Sequence, residues 1–298
     1  MTEFFSRVLN IAIPFFAVSS MAAVGFRYTF RQIAAPLRNI RGVLLALLAN
    51  FVLVPLLAFL IVRLFSLKEP LAIGLILVAS AAGAPFVLKL TQIAGGNLPF
   101  TAGILTILLI VTIAYMPFVV PRMGAGINVD AGAIARPLAL TMLLPLTLAL
   151  ILENLWPGLG NRLDSALGIL TNISLVAVVG LTVAVNLPAI LGVFGTGAIS
   201  AAVLLLIGAF VMGYVSGAFG RDTRDEVGLN TAQRNYAAAI VVASETFGNP
   251  DVLATVVVVS VISMLILFPA AYLLKKYSPQ PAPKAVPIEI SRRKKRAS

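Results

Sequence analysis

Two stretches of the chain hold the residues whose types and spacing could do chemistry. One reads Ala82-Gly83-Ala84-Pro85-Phe86-Val87-Leu88-Lys89, the other Asn230-Thr231-Ala232-Gln233-Arg234-Asn235. Both lie inside long apolar runs. Polar groups at membrane depth are costly, so they mark substrate or ion pathways by default. In the first stretch Gly83 permits unusual backbone angles, Pro85 removes an N–H, and Lys89 adds a cation. In the second, five of the six residues carry hydrogen-bonding side chains. Irregular backbone at that depth survives only where it lines a cavity or is buried in protein. Both stretches are therefore expected to be interrupted helices. Each runs into a Gly-Asn turn and a Pro-bearing span, Gly96-Asn97-Leu98-Pro99 and Gly248-Asn249-Pro250. Pro85, Lys89, Asn230, Thr231, Gln233, Arg234 and Asn235 are the candidates for binding a substrate or an ion.

The elements that must position them are membrane spans. Of 298 residues, 60% are hydrophobic and 11% charged, and the mean hydropathy is +1.02. A soluble domain carries about 25% charged residues. Apolar blocks near the roughly 20 residues a spanning helix needs recur along the chain. Nine spans are predicted, at 8–26, 42–65, 70–92, 98–120, 133–152, 167–187, 197–219, 226–246 and 252–274. The fold class expected is an all-α membrane protein. Its third and eighth spans cross in opposite directions, which is the signature of an inverted repeat with the site at the repeat interface. The transmembrane domain is 1–274, with 1–122 as a first repeat lacking one helix and 133–274 as the second.

Cysteine and histidine are absent. That excludes disulfides, thiolate nucleophiles, Cys/His metal sites and histidine proton relays. No set of Ser, Glu or Asp converges within the spans, so an enzyme is not expected, and no cofactor or bound metal is expected beyond a sodium ion in a coupling role. The net charge of +11 is spread through short loops and a tail, which argues against a nucleic-acid partner. With the N-terminus outside and the C-terminus cytoplasmic, the inside holds Arg27, Arg31, Arg38, Arg41, Arg162, Arg221, Arg224 and the basic tail. The outside then holds Arg7, Arg63, Lys68, Arg122 and Arg136, which satisfies the positive-inside rule. The expected location is the plasma (inner) membrane. The tail, 275–298, is Pro-rich and then basic. Its expected partners are the bilayer and anionic headgroups, at about 1 kcal/mol per basic residue.

The stretches 46–59 (ALLANFVLVPLLAF), 72–97 and 222–254 resemble the bile acid:sodium symporter family. The likeness covers nearly the whole chain. It implies a panel domain and a core domain, two broken helices crossing beside two sodium sites, and an anionic substrate between the domains. The family's extra first helix is missing. The family's sodium-binding Ser-Asn pair falls on Val87 and Leu88. Its Glu-Val-Gly-x-Gln-Asn motif has two possible registers. Glu226-Val227-Gly228 matches the letters, while Asn230 to Asn235 satisfies both flanking lengths and is preferred. Arg234 then replaces the Gln and Asn230 the sodium-binding Glu. Asn50 is the polar residue of the early helix. Thr101 and Glu226 are secondary candidates.

The function this implies is secondary transport of a small organic anion, with Lys89 and Arg234 in place of the sodium ions. Sodium-independent exchange or proton coupling on the same fold is the alternative, although no clear mid-membrane carboxylate is visible. An intramembrane enzyme and a receptor are weaker options. Blander roles stand beside these. Lys89 could snorkel to an interface, Arg234 could bond helix-end carbonyls, and Asn50 could simply bridge helices. Glu226 is expected in an interfacial cluster with Arg221, Asp222, Arg224 and Asp225.

Overall fold

A computed structural model describes residues 2–27, 39–123, 131–218, 223–247 and 249–277, with the single positions 29 and 34. The regular structure of the described residues is all helical, in eleven elements. They are α1 (Thr2–Arg27), α2 (Ile40–Leu64), α3 (Glu69–Ser80), α4 (Val87–Ala94), α5 (Leu98–Met123) and α6 (Ala131–Leu155). They continue with α7 (Leu159–Gly192), α8 (Ala198–Ala218), α9 (Arg224–Ala232), α10 (Tyr236–Val242) and α11 (Pro250–Tyr277). Six of them, α1, α2, α5, α6, α8 and α11, are long and apolar enough to cross a membrane. The other three expected spans fall on α7 and on two interrupted pairs, α3/α4 and α9/α10. Residues 278–298 of the basic tail, with Arg31, Arg38, Arg221, Asp222 and Gly248, lie outside the described residues, while Lys275 and Lys276 belong to the last turn of α11.

Proline shapes the membrane helices locally. In α2 the turn Ala49–Leu53 is a π-helix, and the Val54 N–H reaches back to the Ala49 carbonyl. Pro55 follows and has no N–H, and the π turn holds one residue more than the α register, so between them the turn and the proline leave the carbonyls of Asn50 and Phe51 without a helical donor. In α6 the π turn Ala139–Leu143 precedes Pro145 in the same way. A third such turn, Ala243–Phe247, continues α10.

The first interruption, residues 81–86, depends on glycine. Gly83 has φ +75°, a left-handed conformation that costs an L residue about 1–2 kcal/mol. A Cβ there would sit 2.4 Å from the Leu109 amide nitrogen of α5. The turn after each pair is capped by its asparagine. Asn97 Oδ1 accepts from Phe100 N–H (3.1 Å) and Asn249 Oδ1 from Asp251 N–H (2.9 Å).

The helices pack as two groups. α1 runs along both α6 and α7. The remaining helices pack among themselves, α8 against α9 and α2 and α11 against α3 most extensively. The groups touch where α7 meets α11, α6 meets α5 and α10, and α1 meets α10. Lipid offers no hydrophobic drive for helix association, so small residues and buried polar bonds do the joining. At Gly213 of α8 a Cβ would lie 2.5 Å from Thr231 Oγ1 of α9. That close approach brings α9 into reach of α2.

Candidate functional site

A helix that ends inside the protein leaves its last carbonyls without N–H partners, and no water is at hand to satisfy them. α3 ends at Ser80 and α9 at Ala232. Arg234, fully buried, serves both ends. Its Nε donates to the Val78 carbonyl (3.2 Å) and its Nη2 to that of Ala79. Nη1 donates to the Thr231 carbonyl at 3.1 Å. Two more contacts reach α2, from Nη1 to Asn50 Oδ1 (2.6 Å) and from Nη2 to the Asn50 carbonyl (3.5 Å). The second of these meets an acceptor that Pro55 leaves free. A guanidinium has five N–H donors, and these five contacts engage them all. Each helix C-terminus carries about half a negative charge. Two such ends therefore roughly balance one guanidinium.

Neighbouring side chains close the remaining polar groups. Asn50 Nδ2 donates to the Ala46 carbonyl (2.9 Å) and to Thr231 Oγ1 (3.0 Å). Asn235 joins the two interruptions directly. Its N–H donates to the Ala81 carbonyl (2.8 Å), its Nδ2 to that of Gly83 (3.1 Å), and its Oδ1 caps α10 at Ala238 N–H (3.1 Å). Thr112 of α5 accepts from Ala82 N–H (2.9 Å) and donates to the Ala82 carbonyl (3.0 Å). Gln233 Nε2 donates to the Arg234 carbonyl (3.3 Å), and its Oε1 accepts from Ser263 Oγ (3.4 Å). Tyr115 Oη donates to the Phe51 carbonyl at 2.8 Å, the second acceptor freed by Pro55.

The structure thus brings together Asn50, Thr231, Gln233, Arg234 and Asn235. Pro85 lies half-buried in the first interruption. The second interruption falls at Gln233-Arg234-Asn235, while Glu226-Val227-Gly228 lies within α9. Four candidates lie elsewhere. The Lys89 side chain is exposed on α4 and outside this network. It points away because Val87, Leu88 and Leu90 take the buried positions of that short helix. Thr101 is buried but bonds Thr91 (3.3 Å). Asn230 Nδ2 donates along its own helix to the Glu226 carbonyl (3.0 Å), and its Oδ1 has no partner. Glu226 was expected in an interfacial charge cluster, of which Arg221 and Asp222 lie outside the described residues. It is 6% exposed and its Oε1 accepts Asn97 N–H at 2.7 Å, tying α9 to the turn between α4 and α5. Sequence reasoning missed Thr112, Tyr115, Ser263 and the carbonyls of Val78 and Ala79. Two signals were available, the polar residues Thr106, Thr112 and Tyr115 along an apolar helix, and Pro55 with its freed acceptors.

This arrangement occurs in a chain similar to proteins named as probable cotransporters. It is 27% identical over 239 residues to the probable sodium/metabolite cotransporter BASS2, chloroplastic, of Oryza sativa subsp. japonica, an alignment covering 77% of this chain and 56% of that protein. It is 23% identical over 265 residues to the probable sodium/metabolite cotransporter BASS6, chloroplastic, of Arabidopsis thaliana, covering 84% and 63%. With BASS5 of the same plant, also named a probable chloroplastic sodium/metabolite cotransporter, the figures are 24% over 246 residues, covering 77% and 60%. The chain thus spans under two thirds of the length of each of these relatives. The family model for sodium bile acid symporters matches residues 14–193, more than half of the sequence. With its membrane-length helices, the chain belongs to the sodium bile acid symporter family, a family of membrane transporters.

Proposed function

We propose that the chain is a secondary active carrier of a small organic anion in which Arg234 does the work of a coupling sodium ion. One observation carries this reading. The guanidinium bonds the C-terminal carbonyls of α3 and α9 at once, and ends of interrupted helices are where a carrier coordinates its cation. A fixed charge there needs no ion gradient to hold the two interruptions together. Lys89 drops out of this role because its side chain is exposed.

On this reading α7 and the two interrupted pairs also span the bilayer, giving nine spans, with the N-terminus outside and the C-terminus cytoplasmic. Residues 1–122 and 133–274 form the inverted repeat. The group of α1, α6 and α7 is the panel and the rest the core, and one rocks against the other. Anionic cargo is supported by one feature. The N-terminal ends of α4 and α10 follow directly on the interruptions, and such ends favour negative charge.

The test is uptake of labelled carboxylates and sulfonates into proteoliposomes of the full chain. The expected result is equal uptake in sodium and in choline media. A steep rise with external sodium overturns it. Proton coupling is the second reading, favoured by Glu226 as a buried carboxylate held by one backbone N–H. An imposed pH gradient that drives uptake distinguishes it.

A further inference from the structure

α6 is divided between the two helix groups. Its first part, Ala131–Leu138, packs on α5, on α10 and on the π turn that continues α10. Its last part, Leu144–Leu155, packs chiefly on α1. The fit there is close, since a Cβ on Gly25 of α1 would lie 2.6 Å from the Leu146 carbonyl oxygen. Glu153 ties the same end to α7, accepting the Gly158 and Gly160 N–H groups at 2.9 and 2.6 Å. The π turn Ala139–Leu143 lies between the two parts and touches both α1 and α5. The boundary between the groups therefore falls inside a helix.

α2 and α6 carry the same local device and treat it differently. In each a π turn is followed by a proline, Pro55 or Pro145. The last N–H before the proline reaches back five residues, from Val54 to Ala49 and from Leu144 to Ala139. Two carbonyls in each helix are then left without a helical donor. In α2 other helices supply donors, Arg234 Nη2 for Asn50 (3.5 Å) and Tyr115 Oη for Phe51 (2.8 Å). The corresponding carbonyls in α6 are those of Leu140 and Thr141. Among the described residues no other helix bonds either one. The nearby hydroxyls serve their own helix. Thr141 Oγ1 donates to the Pro137 carbonyl (2.7 Å), and Thr147 Oγ1 to those of Leu143 (2.8 Å) and Leu144 (3.0 Å). Threonines bonded back in this way often bend helices, and sharp bends sit at prolines and π turns. α2 is pinned at its weak turn, and α6 is left free to bend at its own.

We infer that the π turn and Pro145 of α6 are the hinge of the carrier, on which α1, α7 and Leu144–Leu155 turn against Ala131–Leu138 and the remaining helices. The purpose of this motion rests on the carrier reading. Each part of α6 keeps its own packing while the angle between the parts changes, and a few residues suffice to absorb such a change. The chain crosses back between the groups from α7 to α8 through a turn in which Gly195 and Gly197 have φ +78° and +83°, so the glycines there admit backbone angles that other residues resist.

The chain has no cysteine, so introduced pairs can be spin-labelled selectively in the full chain in lipid nanodiscs. Their distance distributions are read by double electron–electron resonance. Val211 of α8, Ala133 and Leu155 are exposed labelling positions. Val211→Cys with Ala133→Cys reports the first part of α6, and Val211→Cys with Leu155→Cys the last. The first pair is expected to give a narrow distribution and the second one at least twice as wide. Pro145→Ala, which restores a helical N–H, is expected to narrow the second pair to the width of the first. Pro55→Ala, in the pinned helix, is expected to leave both widths unchanged. Equal widths in the parent overturn the hinge, as does a second pair that Pro145→Ala leaves broad or that Pro55→Ala narrows equally. Amide exchange of the parent is a check without substitution. It is expected to be faster at residues 139–147 than at 49–57, and equal rates overturn the hinge too. Uptake into proteoliposomes tests the carrier reading separately. A hinge that fails here leaves that reading standing, and failed uptake removes the purpose of the hinge but not its position.

Discussion

Arg234 Nη1 and Asn50 Oδ1 lie 2.6 Å apart although 184 positions separate them in the chain. The bond fastens α2 to the junction of α3 and α9, and the Asn50 amide is itself held by Ala46 and Thr231. A guanidinium deprived of this acceptor keeps a buried N–H with no partner. Hydrogen bonds to charged groups contribute about 1.5–3 kcal/mol. Asn50→Ala is expected to lower the melting temperature of the detergent-purified chain by several degrees. Asn50→Asp, which keeps an acceptor and adds a countercharge, is expected to retain the fold. Equal melting of Asn50→Ala and the parent would show that the bond contributes nothing.

Removing the guanidinium itself exposes the need it meets. In Arg234→Gln the carbonyls of Val78, Ala79 and Thr231 lose charged donors, and the two helix C-termini face each other uncompensated. A small cation can then fill the position. Sodium is expected to raise the melting temperature of Arg234→Gln over choline at equal ionic strength and to leave the parent unchanged. Lys89→Ala is expected to behave as the parent in both media, because its side chain lies outside the network. A sodium-stabilised parent would overturn the assignment of Arg234.

Much of this arrangement was legible in the sequence. Gly83 with Pro85, and a polar run in an apolar span, announce interrupted helices because little else tolerates them at membrane depth. Arg234 stood out for the same reason. What could not be read is which acceptors the charged groups reach. Arg234 and Lys89 look equivalent as intramembrane cations, yet one is fully buried and the other exposed. The difference arises from helix facing. In an eight-residue helix, rotation by one position moves a side chain from core to surface, and α4 buries its Val and Leu residues instead. The partner of Glu226 was hidden for a related reason. Its charged sequence neighbours suggest a surface, while its partner, the Asn97 amide, lies 129 positions away. Thr112 and Tyr115 stand out as polar residues in an apolar helix, but the sequence does not distinguish them from Thr106, which bonds its own helix at Ala102.

Thr112 offers a clean test of how the first interruption is held. Its one hydroxyl serves both the N–H and the carbonyl of Ala82. Thr112→Val keeps the shape and leaves two backbone groups unpaired, at about 1–3 kcal/mol each. Thr112→Ser keeps the hydroxyl. Faster amide hydrogen exchange at residues 81–84 is expected in the Val variant and near-parent exchange in the Ser variant. Unchanged exchange in Thr112→Val would mean that another group satisfies Ala82.

Pro55 and Tyr115 make a coupled pair on different helices. The proline frees the Phe51 carbonyl and the tyrosine Oη donates to it at 2.8 Å. The rings of Phe51 and Tyr115 also pack, with centroids 4.9 Å apart. Tyr115→Phe keeps that packing and removes only the donor. A neutral hydrogen bond of this kind contributes about 1 kcal/mol, so a melting temperature lower by a few degrees is expected. Pro55→Ala restores an N–H that can return to its own helix and compete for the same carbonyl. In that background Tyr115→Phe is therefore expected to cost less than in the parent. Equal losses in both backgrounds would show that the tyrosine does not compensate for the proline. A larger loss in Pro55→Ala would show that the two residues stabilise α2 by separate means.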